Sequence, residues 1–158
     1  MGRKEIKIQR WTSRSLGIIF FVLGSQNLIS SSIDHHQERF EDVALKIWEY
    51  AELGYLEEKS SSLLQQELKD SGFTIQSGIA GIPTAFIAEY NNGGPVLGIL
   101  GEFDALPGLS QQSLPFKTAE GLSSANGHAC GHHLFGAASA WAAVAIKEWL
   151  EESGTPGT

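Results

Sequence analysis

The chain has 158 residues, of which 42% are hydrophobic, enough for one ordinary domain with a real core but not obviously for two. Its single cysteine excludes an internal disulfide framework. The formal net charge is −7, and because residues 1–33 carry five basic residues and one acid, the remaining chain carries −11. So acidic a body argues against nucleic acid as a partner.

The first 33 residues have the layout of a secretory signal peptide. A basic start is followed by the apolar run LGIIFFVLG at residues 16–24 and then by small and polar residues. Nine apolar residues are too few for a stable membrane span, which needs roughly 20. No A-x-A cleavage pattern occurs, so an uncleaved anchor, a buried strand or a short amphipathic extension remain alternatives. We expect a periplasmic or extracellular protein if this segment is functional, and a cytoplasmic one otherwise.

Two helices are predicted next, within a domain that we place at residues 34–158. The first has apolar residues at steps of three and four and should end near Gly54. Its stripe consists of Phe40, Val43, Ala44, Ile47, Trp48 and Ala51. The second should run from an N-cap at Ser60 to Ser71. His35 and His36, near the start of the first helix, are expected to face solvent.

Three strands and a long loop should follow the helices. FTIQSGI (73–79) and TAFIAEY (84–90) read as strands, and PVLGIL (95–100) as a strand buried on both faces. The segment from Asp104 to Gly127 has no convincing period and reads as a long loop, which in compact domains is usually functional or disordered.

A long final helix completes the predicted order. Its apolar residues recur at helical spacing up to about Gly154. This stripe comprises Leu134, Ala137, Ala138, Trp141, Ala142, Ala145, Ile146 and Trp149. The order helix, helix, three strands, helix predicts an α/β fold with helix-sheet-helix layers.

The chemistry-bearing residues gather at two points of this order. Glu102 and Asp104 follow the buried strand, and the stretch ANGHACGHHLFG (125–136) enters the long helix with His128, Cys130, His132 and His133. Ligands of open α/β sheets bind where strands end and helices begin. A thiolate at a helix N-terminus and imidazoles suit zinc or a similar divalent metal. A lone cysteine is more often packed than ligating, but the histidines around it favour ligation.

These residues also resemble a known family. GEFDALPGLSQQ followed by NGHACGHHLFGAA is similar to the dinuclear-metal amidohydrolases and metallopeptidases of the aminoacylase and carboxypeptidase type, in particular the p-aminobenzoyl-glutamate hydrolase B-subunit-like branch. GIPTAFIAEY and AIKEWLEESG extend the resemblance over roughly residues 38–158. It implies the amino-terminal part of a zinc-peptidase-like catalytic domain.

The resemblance implies roles for individual residues. Cys130 and His132 correspond to metal ligands, and Asp104 to an aspartate that supports the metal site from outside the ligand shell. Glu102 stands where other branches have a histidine ligand or an aspartate, and His133 where relatives have asparagine or aspartate. The implied cofactor is zinc or manganese, two ions per complete site. The family's glutamate pair, which supplies the general base, its later histidine ligands and its lid domain have no counterpart in these residues.

The implied function is metal-dependent hydrolysis of small amides, namely N-acyl or N-aroyl amino acids or dipeptides. We expect this chain to be incomplete and inactive alone, with a homodimer or a complementing subunit as the family's possible partners. A non-catalytic metal-binding or complementing chain is the main alternative. A thiol hydrolase with Cys130 as nucleophile and His128 or His132 as base is weaker, because no orienting third group is identifiable.

Overall fold

A computed structural model of the chain describes residues 13–112, 114–118 and 125–158. Over these ranges there are three helices and one small sheet that packs on the second helix, with a short 3-10 turn before the second strand. The elements are α1 (Ser13–Tyr50), α2 (Glu58–Asp70), β1 (Thr74–Ser77), β2 (Phe86–Glu89) and α3 (His132–Ser153). The α/β expectation is therefore met as a mixture of helices and a small sheet.

The core lies where the second half of α1 packs on α2 and α3. The predicted stripe of α1 is confirmed between Phe40 and Ile47, which are 1% and 0% exposed. The Phe40 ring stacks on Trp141 of α3, with 5.9 Å between ring centroids. The buried face of α3 is made by Ala137, Ala140, Val144, Ala145 and Leu150. Its predicted stripe was partly wrong, because Leu134, Ala138 and Ala142 are exposed.

Helix α2 begins two residues earlier than predicted and is capped from outside. The Glu52 carboxylate accepts hydrogen bonds from the backbone amides of Lys59 and Ser60, at 3.0 and 2.8 Å, and from the Ser60 hydroxyl. These amides lie in the first turn, where no intrahelical acceptor exists and a negative charge is favourable. Ser60 is thus held by a cap rather than acting as one.

The sheet has two of the three predicted strands. β1 and β2 are antiparallel, with Thr74 opposite Glu89 and Ser77 opposite Phe86. Residues 95–100 form no strand and are exposed, Val96 at 79% and Leu100 at 76%. Their backbone contacts run to the last residue, from Leu97 N to Thr158 O and from Thr158 N to Pro95 O. The prediction of a strand buried on both faces is therefore wrong here, since no ladder of partners covers the segment.

Helix α1 continues without a break across residue 33, where the predicted signal segment ends. Ser32 is 7% exposed, and its hydroxyl donates a hydrogen bond to Glu148 of α3 at 2.5 Å. His36 Nε2 lies 2.8 Å from the same carboxylate, so His36 is half-buried and not solvent-facing as predicted, whereas His35 is exposed. The basic residues before Thr12 lie outside the described ranges.

At the contact between α1 and α3, hydrogen bonds and nearby charges together affect the pKa of Glu148 more than burial does. Burial opposes its ionisation, but the hydrogen bonds from Ser32 and His36 and the nearby positive charges outweigh burial and lower the pKa of Glu148. Because the folded-state pKa is lowered, the contact stabilises the fold above the ordinary carboxyl range and weakens as pH falls through it. Within the residues that the structure describes, none of the helices could serve as a membrane span.

Candidate metal centre

Three side chains from two segments converge at the start of α3. Glu102 and Asp104 follow the extended segment 95–101, and His132 is the first residue of the helix. One ligand atom of each lies within 4.8 Å of the others. His132 Nδ1 lies 2.7 Å from Asp104 Oδ1, and Nε2 lies 3.1 Å from Glu102 Oε2. The imidazole is thus held between two carboxylates.

This donor set fits a divalent metal ion. Carboxylate oxygen and imidazole nitrogen are ligands of zinc and manganese, and all three side chains are partly open to solvent. A metal-ligating histidine usually donates its other ring N–H to a carboxylate, which is the relation between Nδ1 and Asp104.

The structure brings together some of the predicted site residues and not others. Asp104 and His132 are in contact, and the supporting role that the resemblance implies for Asp104 stays a prediction. Cys130 is exposed and lies outside the three-residue group, so its ligation stays a prediction. Sequence reasoning left Glu102 without a role. Its spacing of two from Asp104 could have indicated one, because residues i and i+2 of an extended chain share a face.

His128 and His133 lie in a buried cluster around Trp48 of α1. The Trp48 ring centroid is 6.2 Å from that of His128 and 4.7 Å from that of His133. Burial lowers the pKa of His128, and burial followed by the charge of His128 lowers the pKa of His133 to about 4. Both are therefore neutral near pH 7. His128 Nε2 is bonded to the Ile47 carbonyl at 3.0 Å, and His128 is not in the metal group.

Backbone contacts join the two site segments to the end of α1. Ala105 N donates to Glu52 O at 2.7 Å, and Leu106 and Gly127 exchange two hydrogen bonds of 2.9 Å. Asn126 Nδ2 donates to Ala51 O at 3.1 Å. Asp104 and the turn that leads to His132 are therefore held on one platform, formed by residues 51–52 and the paired residues Leu106 and Gly127. Leu106 and Gly127 belong to the segment that was predicted to be a loop without regular structure.

A groove with a volume of about 1210 Å³ adjoins the metal group. Glu102, Asp104 and His132 all line it, together with β2, residues 95–101 and one side of α3. The groove is large enough for a small-molecule substrate, whose pockets are typically about 300–1,000 Å³.

Comparison with known proteins finds relatives that are all named as hydrolases or peptidases. The chain is 42% identical over 130 residues to the B subunit of the p-aminobenzoyl-glutamate hydrolase of Escherichia coli, covering 82% of this chain and 27% of that protein. It is 31% identical to the hippurate hydrolase of Campylobacter jejuni over 67% of this chain, and 31% identical to the human Xaa-Arg dipeptidase over 75%. These alignments span 27% and 26% of those two proteins.

No family model matches the chain. The chain spans about a quarter of the length of the curated relatives it matches. The names of these relatives agree on hydrolysis of small amides or dipeptides. By homology, the chain belongs to the amidohydrolase and peptidase family that includes the B subunit of p-aminobenzoyl-glutamate hydrolase.

Proposed function

We propose that this chain contributes to the metal-dependent hydrolysis of amide bonds in N-acyl or N-aroyl amino acids or small dipeptides. The observation that carries the proposal is the grouping of Glu102, Asp104 and His132 beside a groove of substrate size. The relatives named for such substrates support it. The ion would be zinc or manganese, two in the complete site.

The residues of the chain have separate tasks in this proposal. His132 and Cys130 bind metal, and Asp104 accepts the Nδ1 proton of His132 and so keeps Nε2 directed at the ion. A bound divalent metal supplies polarisation of the amide carbonyl and of the attacking water. Glu102, at 53% side-chain exposure, can approach both the ion and a substrate in the groove.

We further propose that the residues present here do not suffice for turnover. A catalytic zinc normally has three protein ligands and an open position, and the positions matched to the family supply two, Cys130 and His132. Proton transfer by a positioned base is worth about 10²- to 10⁴-fold, and no matched residue here holds that role.

The test is an activity assay with and without complementation. Purified chain with zinc or manganese is assayed against p-aminobenzoyl-glutamate, hippurate and dipeptides, alone and with the remaining part of the Escherichia coli relative. We expect turnover only in the mixture, lost in His132→Ala and kept in the exposed control Gln66→Ala. Turnover by the chain alone would contradict its incompleteness. A folded mixture without turnover would contradict the hydrolase proposal.

We also propose that residues 1–33 direct export and are then removed. The basic start and the short apolar run support this. Mass spectrometry of the mature protein should show an amino terminus between about residues 24 and 34, set by the end of the apolar run. Recovery of the intact Met1 form from the cytosol would contradict export, and an intact form held in the membrane would instead support an uncleaved anchor.

A further inference from the structure

The end of α1 receives two side-chain hydrogen bonds from the turn that carries Cys130. The last carbonyl groups of a helix lack intrahelical partners. Ile47 O accepts the His128 Nε2 proton at 3.0 Å and the Ala51 amide at 3.2 Å. Ala51 O accepts the Asn126 side-chain amide at 3.1 Å. Asn126 and His128 therefore cap α1 from a segment about 80 residues further along the chain.

His128 is held more firmly than its neighbours in the turn. It is 4% exposed, and its ring stacks on Trp48 with an interplanar angle of 29°. Because a carbonyl can only accept, the Nε2 atom carries the proton of the neutral imidazole. Its Nδ1 atom has no partner at hydrogen-bond geometry in the part of the chain that the structure describes, although the Asp104 backbone lies near the ring, so the bond to Ile47 is the main polar contact that orients it.

Backbone hydrogen bonds connect His128 to the positions of both predicted ligands. His128 O accepts the Gly131 amide at 3.0 Å, which closes a turn over residues 128–131, and Gly131 O accepts the amides of Leu134 and Phe135 in the first turn of α3. Cys130 lies within the closed turn and His132 directly after it. Cys130 itself is exposed, so its position depends on the turn and not on packing of its own side chain.

We propose that His128 is a positioning residue, whose hydrogen bond to the Ile47 carbonyl holds the turn that carries the predicted ligand Cys130 and leads into His132. This inference rests on the proposed metal centre and adds a residue that binds neither metal nor substrate. Gly131, with φ of 78°, lets the chain leave the anchored turn and enter α3. Loss of the anchor should thus weaken metal binding without removing a ligand.

The experiment compares three substitutions in the full chain, with zinc as the probe. His128→Leu removes the bond, His128→Gln keeps an N–H donor that can reach Ile47 O, and Leu68→Ala disturbs the core at a site on α2. Two readouts report on the centre: the zinc concentration that protects Cys130 from alkylation, and the thiolate-to-metal absorption of the cobalt-loaded protein. Unfolding by urea reports stability separately.

We expect His128→Leu to need about 10- to 100-fold more zinc for protection and to lose the cobalt-thiolate band, the usual cost of removing a supporting contact. His128→Gln should restore both, and Leu68→Ala should lose stability with zinc protection unchanged. If His128→Leu does not fold, Asn126→Ala, which removes the weaker of the two caps, should show the same zinc shift at smaller size.

Two results would overturn the inference, and neither of them would by itself contradict the hydrolase proposal. Equal zinc protection in wild type and in His128→Leu would reduce His128 to a packing residue. Absence of zinc protection in wild type would remove Cys130 from the ligands, and with it the positioning role. In either case the complementation assay above still decides independently whether the chain supports amide hydrolysis.

Discussion

Replacing Phe40 with alanine should lower the free energy of unfolding by about 3–5 kcal/mol, the usual loss for a large aromatic side chain in a core. Phe40 is 1% exposed, and its ring stacks on Trp141, so the substitution leaves a cavity between α1 and α3. Urea unfolding followed by circular dichroism measures the loss. A change of this size is a large fraction of the stability of an ordinary domain.

The matched control is Phe116→Ala, the same substitution at a side chain that is 62% exposed in the loop. Surface substitutions of this kind usually change stability by less than about 0.5 kcal/mol. Equal losses at Phe40 and Phe116 would contradict the α1 and α3 packing described above, whereas a loss confined to Phe40 would support it.

The second large effect is expected for Gly127→Ala. A Cβ atom on Gly127 would lie 1.9 Å from the Leu109 carbonyl oxygen and 2.6 Å from its carbon, and both belong to the backbone. The loop must therefore separate from residue 127, which breaks the paired bonds between Leu106 and Gly127. Overpacking costs about 1–3 kcal/mol and occasionally more, and we expect the upper end of that range.

Gly98→Ala is the matched control for that substitution, because a Cβ on Gly98 meets no atom within 4 Å. Urea unfolding should separate the two variants, and zinc protection of Cys130 should weaken only in Gly127→Ala, since the platform beneath the metal group moves. If both alanines are tolerated equally, the close approach of Leu109 to Gly127 does not exist in solution.

The local pattern of apolar residues predicted those helices and strands whose buried face is set by residues close in sequence. The three- and four-residue steps from Phe40 to Ile47 identify a buried helix face, because one face of a helix is determined by adjacent turns. The alternation in β1 and β2 similarly identified two strands. The prediction of a buried strand at residues 95–100 was wrong because partners elsewhere in the chain decide whether an apolar segment pairs and is buried. Composition does not reveal those partners.

The candidate site shows the same division between local and distant information. The resemblance gave Asp104 and His132 separate expected roles, and the structure has them 2.7 Å apart. The contact of Glu102 with His132 and the bond from His128 to Ile47 depend on how segments 30 and 81 residues apart meet. The pairing of His36 with Glu148 joins residues 112 positions apart for the same reason.

The uninterrupted helix from Ser13 to Tyr50 would constrain when the proposed leader segment could be cut. A processing peptidase needs an accessible, extended stretch of chain, and folded helices seldom provide one. Ser32 is also buried against Glu148, inside the window where the new amino terminus is expected. The proposed cleavage would therefore have to precede the folding of α1, or wait for its amino-terminal turns to unwind. The order of the two events would decide whether the mature helix keeps Ser32 or starts beyond it.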